Sequence, residues 1–357
     1  MNPGEPISGV VSPVDPMTVF INSYDGAVLK TTDGGQTWVD ASRGYTGADM
    51  RDITISPDSP HIVYAVSKSG IARSYSGGED WEEIAYPPIR EPNWYAIAMN
   101  PLARDELLVA HDRRGSIHKS SDGGNSWNLV FEHPEVDDRF VREKAHGFKS
   151  IVYSSSETNI IYAGMARVYL LGTGEVRSEA KSFGIYKSTD GGDNWQEKNT
   201  GLEGTSKNIH CIAVHPTNPD IVYIGTAHDG AFKTNDGGET WTAINNGLVE
   251  CPSYLQRVGA VNPGISLNIP KRTTGGNYYS LPWSNIESIV IDPSDSQTVY
   301  AADFYLGVYM STDGGENWLP INDGLTTRAI YSMAISSDGR VLYAATSGEG
   351  VFRLLLW

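Results

Sequence analysis

One nine-residue pattern recurs six times along the chain and restricts its fold more than any other feature. The copies are KTTDGGQTW (30–38), RSYSGGEDW (73–81), KSSDGGNSW (119–127), KSTDGGDNW (187–195), KTNDGGETW (233–241) and MSTDGGENW (310–318). Their closing tryptophans stand at 38, 81, 127, 195, 241 and 318, giving steps of 43, 46, 68, 46 and 77 residues. A basic period of about 45 residues marks one supersecondary unit stacked around an array, as in propellers.

Each box has the same lead-in. An apolar run ends near a proline, as in Ile53-Thr-Ile-Ser-Pro57, Ile212-Ala-Val-His-Pro216 and Ile289-Val-Ile-Asp-Pro293. A second run carries a hydrophobic-Tyr pair: Val63-Tyr64, Ile161-Tyr162, Val222-Tyr223, Val299-Tyr300 and Leu342-Tyr343. A Gly-containing turn leads to a third run that enters the box, and a fourth follows the Trp, as in Trp81-Glu-Glu-Ile84. Short β runs separated by turn signals read as four-stranded antiparallel blades. A last copy at 329–357 has no box, so the chain reads as a seven-bladed β-propeller, with six blades as the alternative. It forms one all-β domain over 1–357, with units near 7–42, 50–86, 94–132, 148–198, 208–246, 285–322 and 329–357.

Within a box, Asp-Gly suits a tight hairpin with positive φ, and the Asp can accept the turn N–H groups. The Trp is a large apolar group suited to packing on the neighbouring blade. Ser76 replaces the Asp in the second box. The box aspartates therefore serve the fold. These segments resemble Asp-box (bacterial neuraminidase) repeats, which recur in sialidases, xyloglucanases of paired propellers, sortilin-type receptors and photosystem II assembly factors. The resemblance implies the architecture; for function it leaves hydrolase, receptor and scaffold open. The N-terminal Arg-Ile-Pro motif of sialidases is absent, and the chain has room for one propeller only. Near the first acid of the xyloglucanases stands Tyr24-Asp25-Gly26, one residue out of register. The assembly factors carry an arginine-rich patch, whereas this chain has a net charge of −16.

That charge makes nucleic acid and anionic membranes poor partners, and no apolar run approaches the ~20 residues of a membrane span. Two cysteines cannot build a multi-disulfide framework; whether Cys211 and Cys251 pair stays open. The start Met1-Asn-Pro-Gly-Glu-Pro6 reads as a trimmed mature end, giving the expectation of a secreted or periplasmic protein.

Function is sought where the copies disagree. Three insertions, Phe131–Gly147, Arg167–Gly184 and Leu248–Ser284, fall on loops opposite the boxes, and long loops on a rigid scaffold are where binding resides. Six residues before each recurrent Pro position stand Ile7, Arg51, Tyr95, Lys149, His210, Glu287 and Tyr331. This place, near the start of each innermost strand, predicts a polar ring at the channel mouth. Around it the turns add Lys68, Asp112, Arg113, Arg114, His228, Asp229, Asp303, Phe304, Tyr305 and Glu349. Trp94 aligns with apolar positions and reads as buried, whereas Trp283 lies in the longest insertion beside Tyr278 and Tyr279. Exposed aromatics with amides and carboxylates suit sugar rings.

The leading expectation is recognition of a carbohydrate or protein ligand through the insertion-bearing face, by Arg51, Tyr95, Lys149, His210, Tyr331, Asp112, Arg113, Tyr305 and Trp283. The alternatives are a glycoside hydrolase using Glu287 with Asp229 or Asp303, whose two carboxyls must face one cleft, and an assembly scaffold. No cofactor is expected. A metal among His111, His133, His146 and His228 has no close His spacing behind it, and calcium on the acidic surface stays open. Oligomeric state is left open.

Overall fold

Seven antiparallel sheets follow one another along the chain, each with its strands paired in chain order. The computed structural model describes residues 6–23, 27–45, 49–89, 92–136, 146–167, 183–203, 207–227, 229–248, 260–262, 265–266 and 285–356. The innermost strands are Pro6–Val11, Met50–Ile55, Trp94–Asn100, His146–Tyr153, Ile209–Val214, Ile286–Ile291 and Ile330–Ile335. Six sheets have four strands. The seventh has three among the described residues: Ile330–Ile335, Val341–Thr346 and Gly350–Leu355. The box-free copy is therefore a blade in its own right, and the six-bladed alternative falls. Strands Ala260–Asn262 and Ile265–Ser266 form a small separate hairpin in the third insertion.

The second strand of a blade is covered on both faces, so it reads as a continuous apolar run rather than an alternation. Val19–Ser23, Val63–Ser67, Val222–Thr226 and Val299–Asp303 are buried at every position. The apolar clusters lie between blades. Val19 and Ile21 of blade 1 pack on Tyr343 of blade 7, and Arg353 donates to the Gly34 carbonyl at 2.8 Å, closing the ring.

At three junctions the hydrophobic-Tyr pair and the cation opening the box act together on the next blade. Tyr64 and Arg73 both donate to the carbonyl of Gly123, at 3.1 and 2.9 Å. Tyr223 and Lys233 do the same at Gly314, at 3.0 and 2.9 Å. Lys187 reaches Gly237 at 3.0 Å while Tyr162 reaches Pro219 at 2.9 Å. Each ammonium also lies over its tyrosine ring, 5.3 Å for Lys187–Tyr162 and 5.2 Å for Lys233–Tyr223, which adds a cation–π attraction.

The box tryptophans bind in the opposite direction. Trp81, Trp127, Trp241 and Trp318 donate their indole N–H to the carbonyls of Ala41, Ala85, Lys198 and Ile244 of the preceding blade, at 2.7, 2.7, 2.8 and 2.7 Å. Trp195 instead bonds Gly192 of its own box at 2.9 Å. The aspartates cap the hairpins from inside. Asp313 accepts the Asn317 N–H at 2.9 Å, the Asn317 side-chain amide at 2.7 Å and the Ser311 hydroxyl at 2.7 Å. In the second box the Ser76 hydroxyl oxygen accepts the Asp80 N–H at 2.8 Å. Gly314 and Gly315 have φ of 70° and 91°, a left-handed pair that explains the fixed Gly-Gly.

Two outcomes follow. Trp318→Ala removes a side chain that is 2% exposed and should cost about 3–5 kcal/mol in urea unfolding. Trp318→Phe keeps most of the ring but strands the Ile244 carbonyl, at a cost of about 1–3 kcal/mol. Side-chain hydrogen bonds from the box Ser, Thr or Asn hold Asp122, Asp190, Asp236 and Asp313 at about 2, below the usual 3.8. Depressed carboxyls contribute fully above about pH 4 and lose that contribution as pH falls towards 2. Unfolding midpoints should drop across that interval, and Asp122→Asn with Asp236→Asn should flatten the drop; these groups are exposed, so the effect of each is small.

Candidate functional site

The register of every innermost strand slips by one residue at the same place. Blade 2 pairs Met50 with Ser67 and then Asp52 with Val66, and blade 6 pairs Ile286 with Asp303 and then Ser288 with Ala302. The residues passed over are Ile7, Arg51, Tyr95, Lys149, His210, Glu287 and Tyr331. A β-bulge leaves its extra residue out of the ladder and re-aims the side chain. All seven bulge residues are half-buried, whereas Met50, Trp94, Phe148, Ile209, Ile286 and Ile330 just before six of them are fully buried. Because strands pair in chain order, the starts of the innermost strands share an end of the blade with the insertions, opposite the box hairpins.

Three neighbouring bulges meet. The Arg51 guanidinium lies 5.4 Å from the centre of the Tyr95 ring and the Lys149 ammonium 5.6 Å from it. Beside them Asp112, 4% exposed, sits on the turn after Ala103–His111 and donates its N–H to the Asn93 carbonyl at 2.8 Å. Burial raises its pKa, opposed by Arg51, Arg113, Lys149 and Lys68. Lys68 is itself paired with Asp49. Any side chain at Gly147 would collide with the Asp112 backbone, which explains a glycine at the end of the first insertion. His111 fixes the same turn, its Nδ1 accepting the Arg113 N–H at 3.1 Å.

Two further bulges bring an imidazole against a carboxyl, with burial lowering the His210 pKa from 6.5. Glu287 stands 3.0 Å from Nδ1 of His210 and accepts the Asn285 amide at 2.9 Å. Burial pushes the Glu287 carboxyl up, but His210, Lys149 and Asn285 outweigh it and hold the pKa at about 2. The last bulge, Tyr331, packs on Phe304 at 5.1 Å, and Phe304 meets Tyr305 edge-on at 4.9 Å.

Of the acids considered with Glu287, Asp303 has its carboxyl engaged locally, whereas at Asp229 it is the backbone that is fixed. Asp303 is fully buried and caps its own turn, accepting the N–H groups of Tyr305 and Leu306 at 2.7 and 2.9 Å. Asp229 donates its N–H to the Thr226 hydroxyl at 3.0 Å, and its carbonyl accepts the Asn245 amide at 2.9 Å. The histidines are spent on ring contacts. His111 and His118 both stand edge-on to Trp94 at 5.5 Å, and His133 and His146 pack on Phe183 at 4.0 and 4.9 Å. Among the described residues no three His, Cys, Asp or Glu side chains gather as a metal site. Cys211 is buried, its thiol directed at the Ile286 carbonyl 3.8 Å away. Tyr24, Asp25, His228, Cys251, Tyr278, Tyr279 and Trp283 lie outside the described residues.

One residue of this region was missed by sequence reasoning. Asp52 accepts the Ser8 hydroxyl at 3.0 Å, the Ile53 N–H at 2.9 Å and the Ile97 N–H at 3.0 Å, joining blades 1, 2 and 3 beneath Arg51. Burial raises its pKa to about 6. The signal was present: it is the lone acid among Ser8, Ala96, Ser150, Cys211, Ser288 and Ser332 at the equivalent positions.

Comparison with known proteins gives the same architecture. No family model matches the chain. A curated xyloglucanase of a Paenibacillus species is 27% identical over 157 residues, 33% of this chain and 15% of that protein. The crystal structure of the GH74 xyloglucanase from Xanthomonas campestris superposes with a TM-score of 0.70 and 15% identity, covering 99% of this chain and 52% of that one. YCF48 from Cyanidioschyzon merolae gives 0.62 and 16%, covering 99% and 96%; a structure of YCF48 bound to D1 peptide gives 0.65 and 14%, covering 100% and 95%. The chain thus spans about half the length of the Xanthomonas xyloglucanase structure and nearly all of the YCF48 structures. At these identities the likeness is one of fold.

The packing around Trp94 has a pH signature. Burial, with His111 and Arg114 nearby, lowers the His118 pKa from 6.5 to about 4. The unfolded chain therefore takes up this proton first: stability is fully present above about pH 6.5 and is lost as pH falls towards 4, by roughly 3 kcal/mol in all. His118→Gln should remove much of that slope when urea midpoints are followed from pH 7 to 4.

Proposed function

We propose that this chain is a binding propeller that recognises a polar ligand, carbohydrate or protein, at its channel mouth, and that it does not cleave glycosidic bonds. The observation that carries this reading is the state of Glu287. A general acid needs a raised pKa and a partner carboxylate across one cleft. Burial raises the Glu287 carboxyl, but His210, Lys149 and the Asn285 amide lower it overall, against an acid role, and Asp303 is committed to two turn N–H groups. The mouth offers recognition chemistry in its place: the Arg51 and Lys149 cations against Tyr95, the His210–Glu287 pair, and the aromatic group of Phe304, Tyr305 and Tyr331. Such a mixture of charge and apolar surface orients a polar ligand. The relatives bracket its class: one is a xyloglucanase by name, the other was captured with a peptide. Among the described residues no helix is long and apolar enough to cross a membrane.

Glycan and peptide arrays should identify a ligand whose affinity falls at least about tenfold in Arg51→Ala combined with Lys149→Ala, at an unchanged melting temperature and more weakly at high salt. Release of reducing ends from a polysaccharide, abolished by Glu287→Gln in a folded protein, would replace this reading with the hydrolase.

A further inference from the structure

Two equivalent turns at the channel mouth are capped by different residues. His111 pairs with Trp94 in blade 3 as Asp303 pairs with Ile286 in blade 6, so the two hold the same place in the ladder. In blade 6 the Asp303 carboxylate accepts the N–H groups of Tyr305 and Leu306. In blade 3 an imidazole serves instead, Nδ1 of His111 accepting the Arg113 N–H at 3.1 Å. The turn therefore makes no use of the carboxylate of the next residue, Asp112.

Asp112 is buried, yet among the described residues no N–H or O–H donates to its carboxylate and no cation forms an ion pair with it. Arg51, Arg113, Lys149 and Lys68 act on its charge from further off. Two atoms of the same corner are also buried without a partner among the described residues: Oδ1 of Asn93, whose carbonyl accepts the Asp112 N–H, and Nε of Arg113. Buried polar groups are ordinarily satisfied, and an ionised one left alone is costly. One short stretch of the mouth thus sets two unmet acceptors beside an unmet donor. A carboxylate only accepts and a guanidinium only donates. A metal ion or an ammonium group would suit Asp112 but is repelled by the surrounding cations. An anion would suit Arg113 and leave Asp112 without a donor. A hydroxyl donates and accepts at once, so one or two adjacent hydroxyls meet both demands.

Blades 6 and 7 stand across the seven-membered ring from blade 3. There Phe304, Tyr305 and Tyr331 are half-buried and packed on one another, an apolar surface suited to the C–H face of a sugar ring. Resting on the reading that the mouth is the binding site, we propose that its ligand is a neutral oligosaccharide, with a hydroxyl pair held between Asp112 and Arg113 and a second sugar ring on Phe304, Tyr305 and Tyr331. One hydroxyl donates to Asp112 while its oxygen, or that of its neighbour, accepts from Arg113. Arg51 and Lys149 favour the ionised form of Asp112, the form that accepts. The same carboxylate turns away a sugar acid, so the site tells a neutral glycan from its uronate counterpart.

The test is a glycan array that pairs neutral oligosaccharides with their uronate counterparts, run beside a peptide array, and then calorimetric titration of the best neutral glycan and its single-deoxy derivatives. A neutral glycan should bind more tightly than its uronate. Asp112→Asn should weaken it at least about tenfold, with no fall in melting temperature, because the lost carboxylate holds no bond in the free protein. One deoxy derivative should lose a similar factor on the parent protein and almost none on Asp112→Asn, a coupling that a merely structural role would not produce. Arg113→Gln should weaken binding likewise and serves should Asp112→Asn misfold. Tighter binding of the uronate overturns the proposal, as does a glycan whose affinity is indifferent to both variants, which leaves only water at Asp112. A peptide bound at the mouth in place of any glycan, and lost in Arg51→Ala with Lys149→Ala, overturns it while the binding site itself stands. Absence of binding on both arrays overturns the two together.

Discussion

The ring depends on hydrogen bonds that run in both directions between neighbouring blades. At Gly123 and Gly314 a glycine carbonyl in the box of one blade accepts both a tyrosine hydroxyl and an arginine or lysine from the blade before it. The tryptophan of the same box returns a hydrogen bond to the earlier blade. Reciprocal bonds of this kind fix the angle between sheets that would otherwise share only apolar surface, which is non-directional. The residue types of the repeat follow: a cation at the start of five of the six copies, glycines where the carbonyl must be exposed, and an indole at the end.

With the blades so fixed, the inner strands converge and the bulges decide what the channel mouth displays. Seven backbone irregularities at one level produce a ring whose chemistry changes from cationic at blades 2 to 4, through the His210–Glu287 pair, to aromatic at blades 6 and 7. Asp112 supplies a counter-charge beside the Arg51 and Lys149 cations, while Asp52 ties together the strands beneath them.

The fold was legible because the repeat writes its own contacts: Trp318, Tyr223 and Lys233 have counterparts at fixed offsets, and most of those counterparts bond a neighbouring blade. The mouth was legible in position for the same reason, since counting back from the proline register lands on the bulge in every copy. Partner choice was not. Glu287 reads as a candidate acid until His210 and Asn285 are seen beside it, and Asp303 until its carboxylate is found under the Tyr305 and Leu306 amides. Those pairings come from turns and neighbouring blades, to which a strand pattern is blind. Asp52 escaped because a single departure among small residues carries no period.

The bulges bear on how such a molecule can change over time. A residue outside the ladder surrenders no strand-to-strand hydrogen bond when it is replaced, and a half-buried position leaves only a small void. The seven mouth positions therefore behave as sockets on a finished frame: their occupants can be exchanged one at a time without disturbing the Tyr and Trp bonds that hold the blades. Specificity can drift at the mouth while the architecture stands still.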